Sequence, residues 1–357
     1  MADRGKNLLL TAATVFLTLA LCEVGLRLWH GVSLLNFSNF SSNRPIQFNL
    51  SGAVRYDPVL GWSLKDDVDD PDFHTLEHGI RRNNVGQTGL RPGNILAVGS
   101  SFTAGTEVAD EQTWPAQLER LTGRPVDNAA VPAFALDQFV LRAEQLLPVA
   151  RPRVLLIGLG ERAIEWIGYS AWRAPKPFFT VERGTLVAHN IPVLLPAPNV
   201  DPFEPVKAIL GHSHLVHRLM SRLYPDVWHS NARDMYRVRN NAVDVSCRLL
   251  QRLKQKTDKL EIRALIDSEI WSEEIMAADA APAKLRLVEQ CAQGMGYQLA
   301  DTFGLFRAIH KAEPKRLDEY YVFTNGRPVH FSELGNRRVA EIVAATLAVE
   351  PKLAGGR

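Results

Sequence analysis

The apolar positions of this chain change their spacing several times, and each change predicts a different element. Leu8–Cys22 carries no charge, and apolar character continues past Glu23 to Trp29. A stretch of that length approaches the roughly 20 residues that cross a bilayer as a helix. Arg4 and Lys6 precede it, Glu23 and Arg27 stand one turn apart near its far end, and Trp29 occupies the place of an interfacial anchor. No small-x-small cleavage site follows, so the segment reads as an uncleaved anchor with its amino terminus in the cytoplasm. Gly31–Gln47 is polar and reads as a stalk, and Tyr56–Gly93 is rich in turn residues.

From Ile95 the pattern becomes that of an α/β domain. Ile95–Val98 is an unbroken apolar run, which predicts a buried parallel strand. Glu111–Leu121 places Trp114, Leu118 and Leu121 on one helical face. Val126–Asp127 reads as a strand, Leu136–Leu147 as a helix and Arg153–Ile157 as a strand. This alternation requires right-handed crossovers and a parallel sheet. The rhythm breaks over 163–260, where Phe178–Val187 predicts a hairpin turning at Arg183-Gly184, Val206–Leu223 a helix and Ala242–Lys259 an amphipathic helix. It resumes with strand Ile262–Ile266, helix Lys284–Met295, strand Tyr297–Ala300 and helix Glu333–Leu347. The expected organisation is an anchor at 1–30, a stalk and pre-core segment at 31–90, and an α/β domain at 91–350 with an insertion at 163–260.

Composition narrows the function. A net charge of +2 over 357 residues, without a long basic run, excludes an electrostatic nucleic-acid binder. Three cysteines, Cys22, Cys247 and Cys291, make neither a disulfide scaffold nor a zinc pair. Cys247 and Cys291 are expected as two free buried thiols, with pairing in an oxidising compartment as the lesser alternative. His74 and His78 stand at i and i+4, and His212, His214 and His217 near one helical side. Nothing near the first pair completes a metal site, so it is read as surface histidines, and no acidic partner sits among the second set. No metal and no cofactor is expected.

The candidate chemistry is acyl transfer, which needs a nucleophile, a base and donors for an oxyanion. A strand ending in Gly99-Ser100-Ser101 leaves a hydroxyl at the carboxyl edge of the sheet. Ser101 is therefore the nucleophile candidate, and His330, just before the last helix, the base. The run lacks the second glycine of a GxSxG elbow, which argues against an α/β-hydrolase.

Gly99-Ser100-Ser101-Phe102 resembles the Gly-Asp-Ser-Phe block of the SGNH (GDSL-like) hydrolases, with Trp114-Pro115-Ala116-Gln117-Leu118 similar to the helix that follows it. Asn128-Ala129-Ala130-Val131-Pro132, Leu155–Arg162 and His330 with Gly335-Asn336 resemble the second, third and fifth blocks. Tyr56–Arg91 and the stretch from Lys176 to Val193 resemble segments of membrane-anchored members from polysaccharide clusters. The resemblance covers most of 50–347. It implies a three-layer α/β/α fold with a mainly parallel sheet, flavodoxin-like, behind one transmembrane helix. It implies Ser101 and His330 as catalytic residues, with Ser101, Ala130 and Arg162 serving the oxyanion. The implied partner is an O-acylated polysaccharide outside the cytoplasmic membrane, with exopolysaccharide assembly proteins as further candidates. Glu161-Arg162 is loosely similar to alginate-type O-acetyltransferases.

The sequence also departs from the family pattern. Ser100 stands for the first-block Asp, Ala130 for the second-block Gly and Arg162 for the third-block Asn. The acid expected two or three residues before the histidine is absent, since Arg327 and Pro328 stand there. Asn325, Asp318 or a backbone carbonyl are the substitutes in view. Two functions follow: an acyl-ester hydrolase or O-acetyltransferase, or a catalytically impaired scaffold subunit of an exopolysaccharide assembly.

Overall fold

The computed structural model describes residues 2–37, 39–40, 52–172, 174–194, 203–224, 228, 238, 240–324 and 326–349. The chain divides into two compact units, one of residues 1–47 and 196–235 and the other of 48–195 and 236–357. Elements are numbered along the chain.

In the first unit, α1 (Ala2–Trp29) carries a span from Gly5 to Trp29 that is long and apolar enough to cross a membrane. The single helix expected over Val206–Leu223 is two, α6 (Glu204–Leu210) and α7 (His214–Leu223). Gly211 weakens helix propagation, and Ser213 restarts it by accepting from Val216 N at 3.1 Å.

The second unit is built on an eight-stranded sheet. Its strands are β3 (Asp69–Asp70), β4 (Phe73–Leu76), β5 (Ile80–Arg81), β6 (Ile95–Val98), β7 (Val126–Asn128), β8 (Val154–Leu159), β13 (Arg263–Ser268) and β14 (Gln298–Ala300). A hairpin, β1 (Val54–Asp57) and β2 (Gly61–Leu64), precedes them. The strand order is β14-β13-β8-β6-β7-β5-β4-β3. Strands β7, β6, β8, β13 and β14 run parallel, whereas β5 pairs antiparallel with β7 and extends the sheet through β4 and β3. The turn-rich 69–81 segment thus adds three edge strands. They are two to four residues long, too short for a period to show.

Handedness then sorts the helices. The step from β6 to β7 runs one way along the sheet and the step from β7 back past β6 to β8 runs the other. Right-handed crossovers therefore place α3 (Trp114–Thr122) on one face and α4 (Leu136–Ala150) on the opposite one. The further steps to β13 and β14 continue in the second direction, so α8 (Ala242–Lys259) and α10 (Ala283–Gly294) join α4. After β14 the last helix, α12 (Glu333–Ala348), packs against α3. This is the expected three-layer α/β/α architecture. Ile95, Leu96, Ala97 and Val98 are essentially inaccessible, because β6 is flanked by β7 and β8 and covered on both faces.

The helices α2 (Ser101–Ala104), α5 (Glu161–Glu165), α9 (Ser272–Ala277) and α11 (Thr302–Ala312) fill the connections. Strands β9 (Ala171–Trp172) and β10 (Ala174–Pro175) make a short ladder. The hairpin β11 (Phe178–Glu182) with β12 (Thr185–His189) turns at Arg183-Gly184, and β15 (Tyr321–Thr324) pairs with β16 (Arg327–Phe331).

Two expectations are corrected. Cys247 on α8 and Cys291 on α10 form a disulfide, their Cα atoms 6.0 Å apart. The two helices pack side by side on one face of the sheet, a proximity that a separation of 44 residues does not announce. His74 is not a surface residue on a helix: it lies on β4, half buried, with Nδ1 2.7 Å from Asp110 Oδ2 and Nε2 3.0 Å from Asp69 Oδ1. Among the described residues no cluster of His, Cys, Asp and Glu is arranged to hold a metal.

Candidate active site

The strand order reverses at β6, where the loops after β6 and β8 depart to opposite faces. Such a switch point opens a crevice at the carboxyl ends of the strands. Ser101 stands there, the first residue of α2, one residue beyond the extended Ser100. Glycine is required in the two strand ends beneath it. A Cβ on Gly99 would lie 2.1 Å from Thr103 Oγ1, and one on Gly158 would lie 2.1 Å from the same oxygen and 2.3 Å from Glu269 Oε1.

His330 arrives from the far end of the chain on β16. Its Nε2 lies 2.6 Å from Ser101 Oγ. Phe102 meets the ring edge-on at 4.7 Å between centroids, and Trp271 tilts against it at 5.0 Å. The end of β16 is clamped to the core by buried Asn336, whose Oδ1 accepts from Trp114 N at 2.9 Å while its Nδ2 donates to Phe331 O at 3.1 Å. Gly335 is obligatory in the same turn, since a Cβ there would meet Tyr320 O at 2.2 Å.

On the other side of the imidazole stands Glu107, with Oε2 2.6 Å from His330 Nδ1. The two atoms lie within hydrogen-bond distance, with Nδ1 not aimed straight at the oxygen. Burial works to raise the Glu107 pKa. The hydrogen bonding and charge of His330, the Thr106 hydroxyl and the Arg81 guanidinium outweigh it and hold the carboxyl below its usual range. Sequence reasoning missed this residue because it looked for the acid beside the histidine. The available signal was an acid six residues after Ser101, just past Gly105, whose left-handed φ of 69° ends α2 and turns the chain back. Of the residues considered as substitutes, Asp318 is exposed, and Asn325 lies outside the described residues.

The loop bearing Glu107 is held by Arg81, a fully buried guanidinium. It donates to Asp110 Oδ1 at 3.2 Å, to Val108 O at 2.7 Å, to Asp72 O at 2.8 Å, and to the carbonyls of Ala104 and Gly105. Burial lowers its pKa to about 10 against the opposing pull of Asp110, which leaves it charged at neutral pH.

The other expected site residues are placed less directly. Ser101 N–H lies in the first turn of α2, where helix geometry provides no intrahelical acceptor. Ala130 N–H donates to Asn128 Oδ1 at 3.2 Å, and Asn128 Nδ2 in turn donates to Thr103 O at 2.9 Å. Arg162, on α5, stacks over the Trp271 ring at 3.7 Å and pairs with Glu273 at 2.5 Å. It is therefore joined to the site through Trp271, and its ion pair is with neither Glu161 nor Glu165. Beneath the Ser101 turn, Glu269 is fully buried and accepts from Thr103 Oγ1. Burial raises its pKa to about 7, against the opposing effect of its hydrogen bonds.

No family model and no curated protein matches the chain. Solved structures do. An acetyl xylan esterase, AlAXEase, matches 71% of this chain and 98% of its own at 15% identity, with a TM-score of 0.42. The lipase/acylhydrolase from Enterococcus faecalis matches 73% and 100% at 12% identity, TM-score 0.40. A lipolytic protein of the G-D-S-L family from Desulfitobacterium hafniense matches 71% and 98% at 11% identity, TM-score 0.36.

Proposed function

We propose that this protein is an SGNH-type serine acyl-ester hydrolase or O-acetyltransferase in which Ser101, His330 and Glu107 form the catalytic relay. The observation that carries the reading is the continuous line of contacts, 2.6 Å from Ser101 Oγ to His330 Nε2 and 2.6 Å from His330 Nδ1 to Glu107. Such a line lets a neutral imidazole take the serine proton while a carboxylate stabilises the imidazolium. Ser101 Oγ attacks the ester carbonyl and passes its proton to Nε2. The backbone N–H of Ser101 faces the developing oxyanion, joined by Ala130 N–H once the long contact to Asn128 yields. Arg162 forms a wall with Trp271 and becomes a direct donor only after leaving Glu273. His330 then returns the proton to the departing alkoxide, leaving an acyl-Ser101 ester and the free alcohol. Water, deprotonated by His330, completes hydrolysis, and a sugar hydroxyl in its place completes transfer.

The acyl carrier in this reading is an O-acylated glycan outside the cytoplasmic membrane, as the family resemblance implies. The location is supported by three features. The Gly5–Trp29 span is apolar enough to cross a bilayer, Arg4 and Lys6 stand at its amino-terminal end as positive charge does on a cytoplasmic side, and the Cys247–Cys291 disulfide belongs to an oxidising compartment. The scaffold alternative rests on the missing neighbouring acid and on the lost third-block Asn; the place of Glu107 speaks against the first, and Arg162 still stands for the second. Fluorophosphonate labelling of the full chain in detergent tests the proposal. A covalent adduct that disappears in Ser101→Ala supports it, whereas a folded, unlabelled wild-type protein returns weight to the scaffold reading.

A further inference from the structure

The first unit carries apolar surface that a water-soluble helix pair would bury. In α7, Leu219 is 53% exposed and Leu223, one turn on, 58%. In α6, Ile209 is 75% exposed. Scattered exposed apolar residues are ordinary on protein surfaces, but these fall one turn apart on short helices that are fastened to the membrane-spanning helix. The fastening is specific. Glu23 of α1 accepts from His214 N and Leu215 N at 2.8 and 2.7 Å, so a carboxylate from the span caps the start of α7. Arg27 reaches His212 O at 2.8 Å and Asn36 O at 2.7 Å.

Depth follows from helix geometry. Glu23 and Arg27 lie six and two residues before Trp29, the end of α1, so at 1.5 Å per residue they sit about 9 and 3 Å below that end. If Trp29 marks the membrane surface, the start of α7 is held within the headgroup layer. Leu34 and Leu35, in the turn after α1, are exposed at the same end. Charge agrees: α7 contains no acidic residue, and Arg218 and Arg222 flank the Leu219–Leu223 stripe one turn apart, as exposed cations do when they reach anionic headgroups.

We propose that α6 and α7 lie in the membrane interface as a platform, with Ile209, Leu219 and Leu223 in the acyl boundary and Arg218 and Arg222 on anionic phosphates. The inference rests on the reading of α1 as a membrane span. It is tested in the full chain carrying Cys22→Ser, since Cys247 and Cys291 are disulfide-bonded. Single cysteines are introduced as Leu219→Cys, Phe16→Cys and Val85→Cys and labelled with a nitrobenzoxadiazole dye. The proteins are reconstituted in phosphatidylethanolamine/phosphatidylglycerol vesicles. Lipid brominated near the headgroup is expected to reduce emission at position 219 about threefold, with aqueous iodide ineffective. Position 85 should respond to iodide alone. Quenching at position 16 by bromine near the bilayer centre, together with iodide access at 219, would overturn the platform and leave the anchor standing. Absence of lipid quenching at position 16 would defeat the anchor reading itself. Protection at 219 from both quenchers, with disulfide cross-linking between two copies at that position, would assign the face to a second copy and overturn the lipid assignment.

Discussion

Glu107→Gln is the substitution that most directly tests the relay. The amide preserves the shape beside His330 Nδ1 and the neighbouring Thr106 hydroxyl, but removes the charge. In the transition state the imidazole carries a proton, and a carboxylate with its centre about 4 Å from the ring charge stabilises it by about 4 kcal/mol at an effective dielectric of about 20. That is about a thousandfold in kcat. Glu107 is three-quarters buried at its side chain, so solvent screening is partial. The expected result is therefore a fall of about two to three orders of magnitude in kcat for a small aryl ester such as p-nitrophenyl acetate, with KM little changed, because the charge matters only once His330 is protonated. Glu107→Asp withdraws the carboxylate by one methylene and should lie between the two. Stopped-flow acylation kinetics on the full chain in detergent would measure this. A Glu107→Gln enzyme within about fivefold of wild type would show that His330 works without its neighbour, and the relay would be wrong.

Further outcomes follow from the surroundings of the site. Arg81→Ala strips three buried loop carbonyls of their donor and leaves Asp110 with only His74 and Arg82 as partners, so unfolding free energy should fall by about 3–5 kcal/mol in a denaturant titration, with kcat falling as Glu107 drifts. Glu269, raised from 4.5 to about 7, holds a proton in the native state that the unfolded chain releases. Stability should therefore decline by about 3 kcal/mol as pH rises through that window, and Glu269→Gln should flatten the decline in thermal melts. Glu107 has the opposite sign: its lowered pKa contributes stability above the usual carboxylate range that is lost on acidification, so the advantage of wild type over Glu107→Gln should shrink at low pH. Reducing Cys247–Cys291, which closes a loop of 44 residues, should cost about 4 kcal/mol, read as a lower melting temperature in dithiothreitol.

The alternation of central strands and amphipathic helices was legible in the sequence because the longer helices show their own period and strands such as β6 and β8 are continuous apolar runs. Ser101 and His330 were legible for a related reason: one follows an unbroken apolar strand, the other precedes the last helix, and open α/β sheets bring such ends together. The edge strands β3–β5 were not, since two to four residues carry no period and their pairing is decided by what they meet in space. Glu107 was not, because nothing local distinguishes its carboxylate from other loop acids. Its role depends on the left-handed turn at Gly105 and on the buried Arg81, 26 positions earlier, that holds the loop. The Cys247–Cys291 bond and the Glu23 cap on α7 are of the same kind. Each depends on two helices distant in sequence lying side by side, and side-chain proximity across such separations is set by packing of the whole chain. The sequence pattern thus determined the layers and the ends that carry Ser101 and His330, and tertiary packing decided which acid lies against His330.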